Sequence, residues 1–282
     1  MTPEEPGSAV EHPRDAENIE SDSLGRERQG VEELSQGEID EAETLIRRGL
    51  VEDVPGGDVT SEWLMPPDVE IRACFVPRQE GILCGMPVVA SLFREIDPDI
   101  SLRPLRSEGD RLVPGEPFLE IEGAVQPILR GERLALNFLQ LLSGISTLTR
   151  RYVDEIVGTS CGLYDTRKTT PGWRFLQKYA VRIGGGKNHR RSLSDFALIK
   201  DNHRQVLRAL GDQNIADWIQ RIRQRRSEVL VELEVDQLDE LRDALTAGLD
   251  IILLDNFSIE GLSRAVEIVR AFEGPRPQLE AS

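Results

Sequence analysis

Residues 229–272, VLVELEVDQLDELRDALTAGLDIILLDNFSIEGLSRAVEIVRAF, decide the fold. Two short apolar runs, VLVELEV (229–235) and DIILLD (250–255), are each followed by an amphipathic segment with its own start and stop signals. Asp236 is placed as N-cap of DQLDELRDALTAG and Gly248 as its stop, while Ser258 caps SIEGLSRAVEIVRAF. Consecutive strand–helix units bury their strands only in a parallel sheet with right-handed crossovers. The same alternation extends outward in both directions. FALIK (196–200) precedes a helix expected from about 215 to 225, and QLEAS (278–282) reads as a final strand. Upstream, CGLYD (161–165) reads as the first strand, followed by a helix from Pro171 to about Ile183. Thr170 is placed to cap that helix, Pro171 suits its first turn and Gly184 suits its stop. The expected architecture is a parallel α/β barrel.

The N-terminal half has a different texture. Ser35 followed by Glu38 is a capping-box pattern ahead of Ile39, Leu45, Ile46 and Leu50 on one helical face. Pro55-Gly56-Gly57-Asp58 is a turn. IRACFVP, GILCGMPVV and DRLVPGEPFLEIEG carry strand signals between 71 and 122, with one helix near Pro87 to Glu95. Residues 131–157 form the strongest helical stretch, apolar on more than one side, with Ser143-Gly144 as a point where it can break. Three regions are therefore expected: a disordered acidic tail (1–35), a strand-rich domain (36–135) and the barrel domain (136–282). The tail assignment rests on twelve acidic and three basic residues in the first forty positions, without apolar period.

Composition removes several classes of function. A net charge of −16 argues against nonspecific nucleic-acid binding, which needs a basic face. No apolar run is long enough to span a bilayer, and the N-terminus has no secretory pattern. Cys74, Cys84 and Cys161 are odd in number and lack metal-ligand spacing, as in a reducing compartment; a cytoplasmic location is expected. Gly184-Gly185-Gly186-Lys187 lacks the spacing of a phosphate-binding loop and follows a helix instead of preceding one.

Against this acidic background, residues 165–203 hold nine Lys or Arg and three Asp, with His189 and His203. Such crowding calls for an anionic partner or is a basic, solvated connection. At the carboxyl ends of the expected strands stand Asp165 and Arg167, Lys200-Asp201-Asn202, Glu232 and Glu234, and Asp255-Asn256. Alternation sends Glu232 and Glu234 to the same face. Charges inside apolar strands need partners, so either a Lys–Glu network closes the barrel mouth or the rim holds a ligand. Arginine grips carboxylate or phosphate bidentately, and carboxylates accept from sugar hydroxyls or hold Mg²⁺ through its waters.

The words DTRKTTPGWRFLQKYAVRIGGGKNHR (165–190), LSDFALIKDNH (193–203), VELEVDQLDEL (231–241) and DIILLDNF (250–257) resemble the quinolinate phosphoribosyltransferase family, also called nicotinate-nucleotide pyrophosphorylase (carboxylating). EDVPGGDVTSEWL (52–64) and ERLALNFLQLLSGISTLTRRYV (132–153) are similar to it too. The resemblance implies an N-terminal α/β sandwich followed by an open, seven-stranded α/β barrel, working as a homodimer or an assembly of dimers with shared sites. It implies transfer of phosphoribosyl from 5-phosphoribosyl-1-pyrophosphate to quinolinate, with Mg²⁺, yielding nicotinate mononucleotide, CO₂ and pyrophosphate for NAD synthesis. Carried over by position, Arg167, His189 and Arg190 receive the quinolinate carboxylates, and a partner subunit lends Arg133. Lys168 and Lys200 serve substrate and pyrophosphate, while Glu234 and Asp255 meet the ribose hydroxyls and the Mg²⁺-bound pyrophosphate, with no direct metal ligand assigned. Two departures stand out. HRQVLRALGDQN (203–214) replaces a small-residue loop, and the family pattern continues beyond QLEAS, so the barrel is expected to be truncated at its C-terminus. The alternatives to the enzyme are a paralogue acting on another substrate and a subunit that only assembles or regulates.

Overall fold

The computed structural model describes residues 34–282, so the expected acidic tail, apart from Leu34 and Ser35, lies outside the described residues. The chain divides into two compact units, one holding residues up to Leu163 together with Phe175–Gly186, the other Tyr164–Arg174 with Lys187–Ser282. A division at 135/136 would cut α4 (Val125–Glu155), which runs unbroken through Ser143-Gly144. The helix continues there because Ser143 and Thr147 turn their hydroxyls onto the loop and strand beside them: Ser143 Oγ accepts the Cys84 N–H and Thr147 Oγ1 the Ile82 N–H.

In the first unit, α1 (Gln36–Asp53) starts where the capping pattern placed it, with the Glu38 carboxylate accepting the Ser35 N–H at 2.8 Å. A short helix α2 (Val59–Leu64) is capped by Asp58, which accepts from Thr60 and Ser61. Strands β1 (Glu70–Phe75), β3 (Ser101–Pro104) and β5 (Leu119–Ala124) form an antiparallel sheet in the order β1-β5-β3. β2 (Gly81–Ile82) and β4 (Arg111–Leu112) pair separately. The GILCGMPVV stretch therefore yields only two strand residues before α3 (Met86–Ile96) begins. Glu108 causes that early start: its carboxylate accepts the N–H groups of Gly85 and Met86 at the helix N-terminus. Leu83, Val88, Val89, Leu92, Phe93, Phe138 and Leu142 are buried in this unit.

Helix α5 (Arg174–Ile183) starts three residues later than its Pro171 signal. Thr170 closes a turn instead of capping, its carbonyl accepting the Trp173 N–H. From Phe175 to Gly186 the segment belongs to the first unit. There Arg182 forks onto the fully buried Glu38 at 2.8 and 3.2 Å, and Glu41 accepts the Leu176 N–H. The three glycines at its end are a packing device. Gly185, at φ +93°, and Gly186 close a Schellman turn onto Arg182 and Val181. A Cβ on Gly184 would stand 2.6 Å from the Ser146 carbonyl of α4.

The second unit is built on a parallel sheet, β6 (Ala197–Ile199), β7 (Val231–Val235), β8 (Ile251–Leu254) and β9 (Gln278–Ala281), in chain order. Helices α7 (Ile215–Arg225), α8 (Leu238–Thr246) and α9 (Ile259–Ala271) follow the expected alternation, with Ser258 accepting the Gly261 N–H as cap. Gln237, not Asp236, is the N-cap of α8. CGLYD is not a strand: only Tyr164 makes a bridge, to Lys187, because the Asp165 side chain is engaged with the loop beyond it. HRQVLRALGDQN, which stands where a small-residue loop was expected, is helical as far as Ala209 in α6 (Asp201–Ala209), where Leu207 packs on the core while the buried Arg204 and the exposed Arg208, one helical turn apart, both clasp Glu240 of α8.

Candidate active site

Strand alternation divides the second unit into two faces. Val231, Leu233 and Val235 of β7, with Ile252 and Leu254 of β8, join Trp218, Leu241, Ala265 and Val269 of the helices in one apolar core. The intervening residues Glu232 and Glu234 face the other way, and both are buried. Leu279 of β9 packs on the apolar core, so Glu280 falls on the same face as the two β7 acids. The register sets Glu234 opposite Leu253 and Leu253 opposite Glu280. Three carboxylates thus stand on one face of a sheet whose other face is dry, and each needs a partner.

His189 supplies the first. Its Nε2 lies 3.2 Å from Glu232 and 3.3 Å from Glu280. Hydrogen bonding to Glu232, then to Glu280, raises its pKa to about 9, against the desolvation that works to lower it. The backbone is locked as well: Asp165 accepts the His189 N–H at 2.9 Å and the Asn188 side-chain amide at 2.6 Å. The ring stands edge-on to Phe196, centroids 4.9 Å apart. Arg190 is buried over the same Phe196 ring and donates to its carbonyl at 3.2 Å. Burial lowers its pKa first and the positive charge of Arg167 second, so the two guanidinium groups are neighbours that repel. Arg167 Nε is itself buried and has no hydrogen-bond partner. Two arginines are thereby held together with a donor left over, the donor set that recognition of an anion requires.

The DTRKTTPGWR loop is held against this segment by Arg174, which donates to Thr169 Oγ1 and to the Arg191 carbonyl, both at 3.1 Å. Lys168 is exposed on that loop, its N–H bonded to Thr166 Oγ1. At the carboxyl ends of the strands, Lys200 Nζ lies 3.8 Å from Glu234, whose other oxygen faces the Asp201 N–H at the start of α6. Asp255 follows β8 and is fixed by Asn256 and Ser282, both at 2.8 Å. Asn256 has φ +58° and is the one non-glycine residue at positive φ among the described residues. The second unit therefore brings together Arg167, His189 and Arg190 at one place and sets Lys200, Glu234 and Asp255 along the strand ends. Arg133 belongs to the first unit, exposed in a groove with Ile71, Phe75, Leu136 and Gln140.

Comparison with known proteins shows the family. Residues 58–143 match the family model of the quinolinate phosphoribosyl transferase N-terminal domain, and residues 145–282 that of its C-terminal domain. The chain is 40% identical over 252 residues to the nicotinate-nucleotide pyrophosphorylase (carboxylating) of Mycobacterium leprae, covering 88% of this chain and 87% of that one. The chain belongs to the quinolinate phosphoribosyltransferase family. A probable nicotinate-nucleotide pyrophosphorylase (carboxylating) of Bacillus subtilis is 38% identical over 213 residues, covering 75% of this chain and 72% of that one. The structure of the nicotinate-nucleotide pyrophosphorylase from Francisella tularensis matches with a TM-score of 0.80 at 37% identity, over 90% of this chain and 86% of that one.

Within this family framework, Phe196, Ser282 and Glu280 are site residues that sequence reasoning does not single out, and it gives Asp165 and Glu232 only places at strand ends. Glu280 has a signal in the sequence: QLEAS repeats the pattern of VELEV, an acid between apolar neighbours in a strand. Phe196 and Ser282 have none, because their roles come from what the fold sets beside them.

Proposed function

We propose that this chain catalyses transfer of the phosphoribosyl group from 5-phosphoribosyl-1-pyrophosphate to quinolinate, with release of pyrophosphate and CO₂, giving nicotinate mononucleotide for NAD biosynthesis. The observation that carries the reading is the pair Arg167 and Arg190: Arg190, next to His189, is buried, and the buried Nε of its neighbour Arg167 lacks an acceptor. A planar diacid supplies the missing acceptors and relieves the repulsion between the two guanidinium groups.

In the reaction, the pyridine nitrogen lone pair forms the bond to ribosyl C1 as the C1–O bond to pyrophosphate breaks, its electron pair leaving with pyrophosphate. Arg167, Arg190 and His189 hold the carboxylates so that this nitrogen is aimed at C1. Glu234 and Asp255 accept from ribose hydroxyls and stabilise the positive charge that grows on the sugar. Lys200 and Lys168 offset the negative charge leaving with pyrophosphate. The ring nitrogen is then quaternary, so the C2–carboxylate bond breaks with its electron pair stabilised on the ring, and C2 takes a proton as CO₂ departs.

Magnesium fits the acids present. Glu234 and Asp255 are hard oxygen donors at adjacent strand ends, and each already accepts hydrogen bonds from this chain. Among the described residues, the group of three convergent donors is His189, Glu232 and Glu280, which includes neither Glu234 nor Asp255. This supports Mg²⁺ carried by pyrophosphate with waters between it and Glu234 and Asp255, where it would neutralise phosphate charge.

The working unit in this reading is a homodimer whose partner lends Arg133, an exposed cation on the unit that does not hold the other site residues. The free cysteines Cys74, Cys84 and Cys161 agree with a cytoplasmic location, and no described helix is long and apolar enough to cross a membrane. Incubation of the purified chain with both substrates and Mg²⁺ tests the proposal. Nicotinate mononucleotide, CO₂ and pyrophosphate in equal amounts are expected. Quinolinate binding without any of these products would reduce the chain to a ligand-binding subunit.

A further inference from the structure

We propose that Glu232 and Glu280 are positioning residues of this site, clamping the Nε2 edge of His189 from two strands and setting the ring's orientation and charge for the incoming pyridine diacid. The inference rests on the function proposed above and assigns a role to acids that the mechanism does not use.

Four observations converge on it. Glu232 is fully buried, and His189 Nε2, 3.2 Å away, is the cation that its carboxylate meets. Glu280 reaches the same nitrogen from β9 at 3.3 Å, although Glu232 and Glu280 lie 48 residues apart in the chain. Burial works to make the imidazole neutral, and the two acids are what oppose it. Finally, the Asp165 bond to the His189 backbone and the Phe196 edge restrict the ring, so contact at Nε2 leaves little rotational freedom.

The charge balance explains why acids stand in a site for an acid. A bare carboxylate pair would repel quinolinate. Joined to an imidazolium, the pair keeps one net negative charge instead of two, and Arg190 with its neighbour Arg167 turns the balance of the site positive. His189 is the group that meets substrate, and Glu232 and Glu280 act through it.

The experiment uses the full-length enzyme and compares wild type with Glu232→Gln and Glu280→Gln. In Glu232→Gln the KM for quinolinate is expected to rise by about tenfold or more, with the KM for 5-phosphoribosyl-1-pyrophosphate within about twofold of wild type. The more accessible Glu280 should give a smaller rise in the same constant. Side-chain ¹⁵N spectra of His189 should show an imidazolium at pH 8 in wild type and a neutral ring in Glu232→Gln. The quinolinate KM of that variant should climb from a lower pH than in wild type. Because Glu232→Gln can perturb folding, Glu280→Gln carries the same readouts at a position that is not fully buried. An unchanged ¹⁵N signature and equal loss for both substrates, in a correctly folded variant, would overturn the proposal. So would a stoichiometric divalent metal in the wild type that disappears on substitution, since the three groups would then be its ligands. A wild type without turnover sinks the functional reading instead, and the spectra still decide whether the clamp exists.

Discussion

At the scale of single residues, Arg167 and His189 carry the sharpest expectations. Arg167 is held with a buried, unmatched Nε beside Arg190. Arg167→Ala should weaken quinolinate binding tenfold or more, because a charged hydrogen bond worth roughly 1.5–3 kcal/mol is lost. Calorimetric titration checks this, and unchanged affinity would remove Arg167 from the pocket. For His189 the sign of the pH effect follows from the direction of its shift. Its pKa is raised from 6.5 to about 9 by Glu232 and Glu280, so the imidazolium is the form that favours the folded state. Its contribution to stability is complete below pH 6.5 and disappears as pH rises through about 9. Chemical denaturation of wild type and His189→Gln across that range should show the two stability curves converging toward high pH.

At the scale of elements, α5 holds the separation between stability and chemistry. It lies between DTRKTTPGWR and NHRR in the chain, yet Phe175–Gly186 packs within the first unit. Its Arg182 forks onto a Glu38 with no solvent exposure. Arg182→Ala leaves that acid buried and is expected to destabilise by about 3–5 kcal/mol. In a chain of this size that lowers the melting temperature by roughly 10 °C, readable by calorimetry. Gly184→Ala should also destabilise, since its Cβ would meet the α4 backbone at 2.6 Å. The Gly-rich stretch thus works by close approach of helices, and losing it should cost melting temperature before it costs substrate affinity.

At the scale of the whole molecule, a chain of net charge −16 concentrates its cations where a small dianion must be gripped. Background repulsion then disfavours large polyanions while the local cluster retains the substrate. The dimer proposed from Arg133 has its own test. Arg133→Ala and Arg167→Ala homodimers should each lose most of their activity at limiting quinolinate. Random mixing should restore about a quarter of wild-type activity, because half the dimers are mixed and one of their two sites is intact. Mixtures with no recovery would show that each site is built from one chain.

The sequence by itself determined the parallel strand–helix pattern, the caps at Ser35 and Ser258, the shared face of Glu232 and Glu234, and the cationic words that carry the family. These are local or periodic properties, and periodicity survives any packing that respects it. Tertiary structure decided the rest. That α5 belongs with α1 depends on Glu38 and Arg182, which are 144 residues apart. That CGLYD is a loop depends on Asp165 spending its side chain on Asn188 and His189. That residues 203–209 are held as helix depends on Glu240 from another helix. That two glutamates meet on one imidazole depends on strand register. Each of these is a pairing of groups distant in the chain, and no local preference encodes which distant group will arrive.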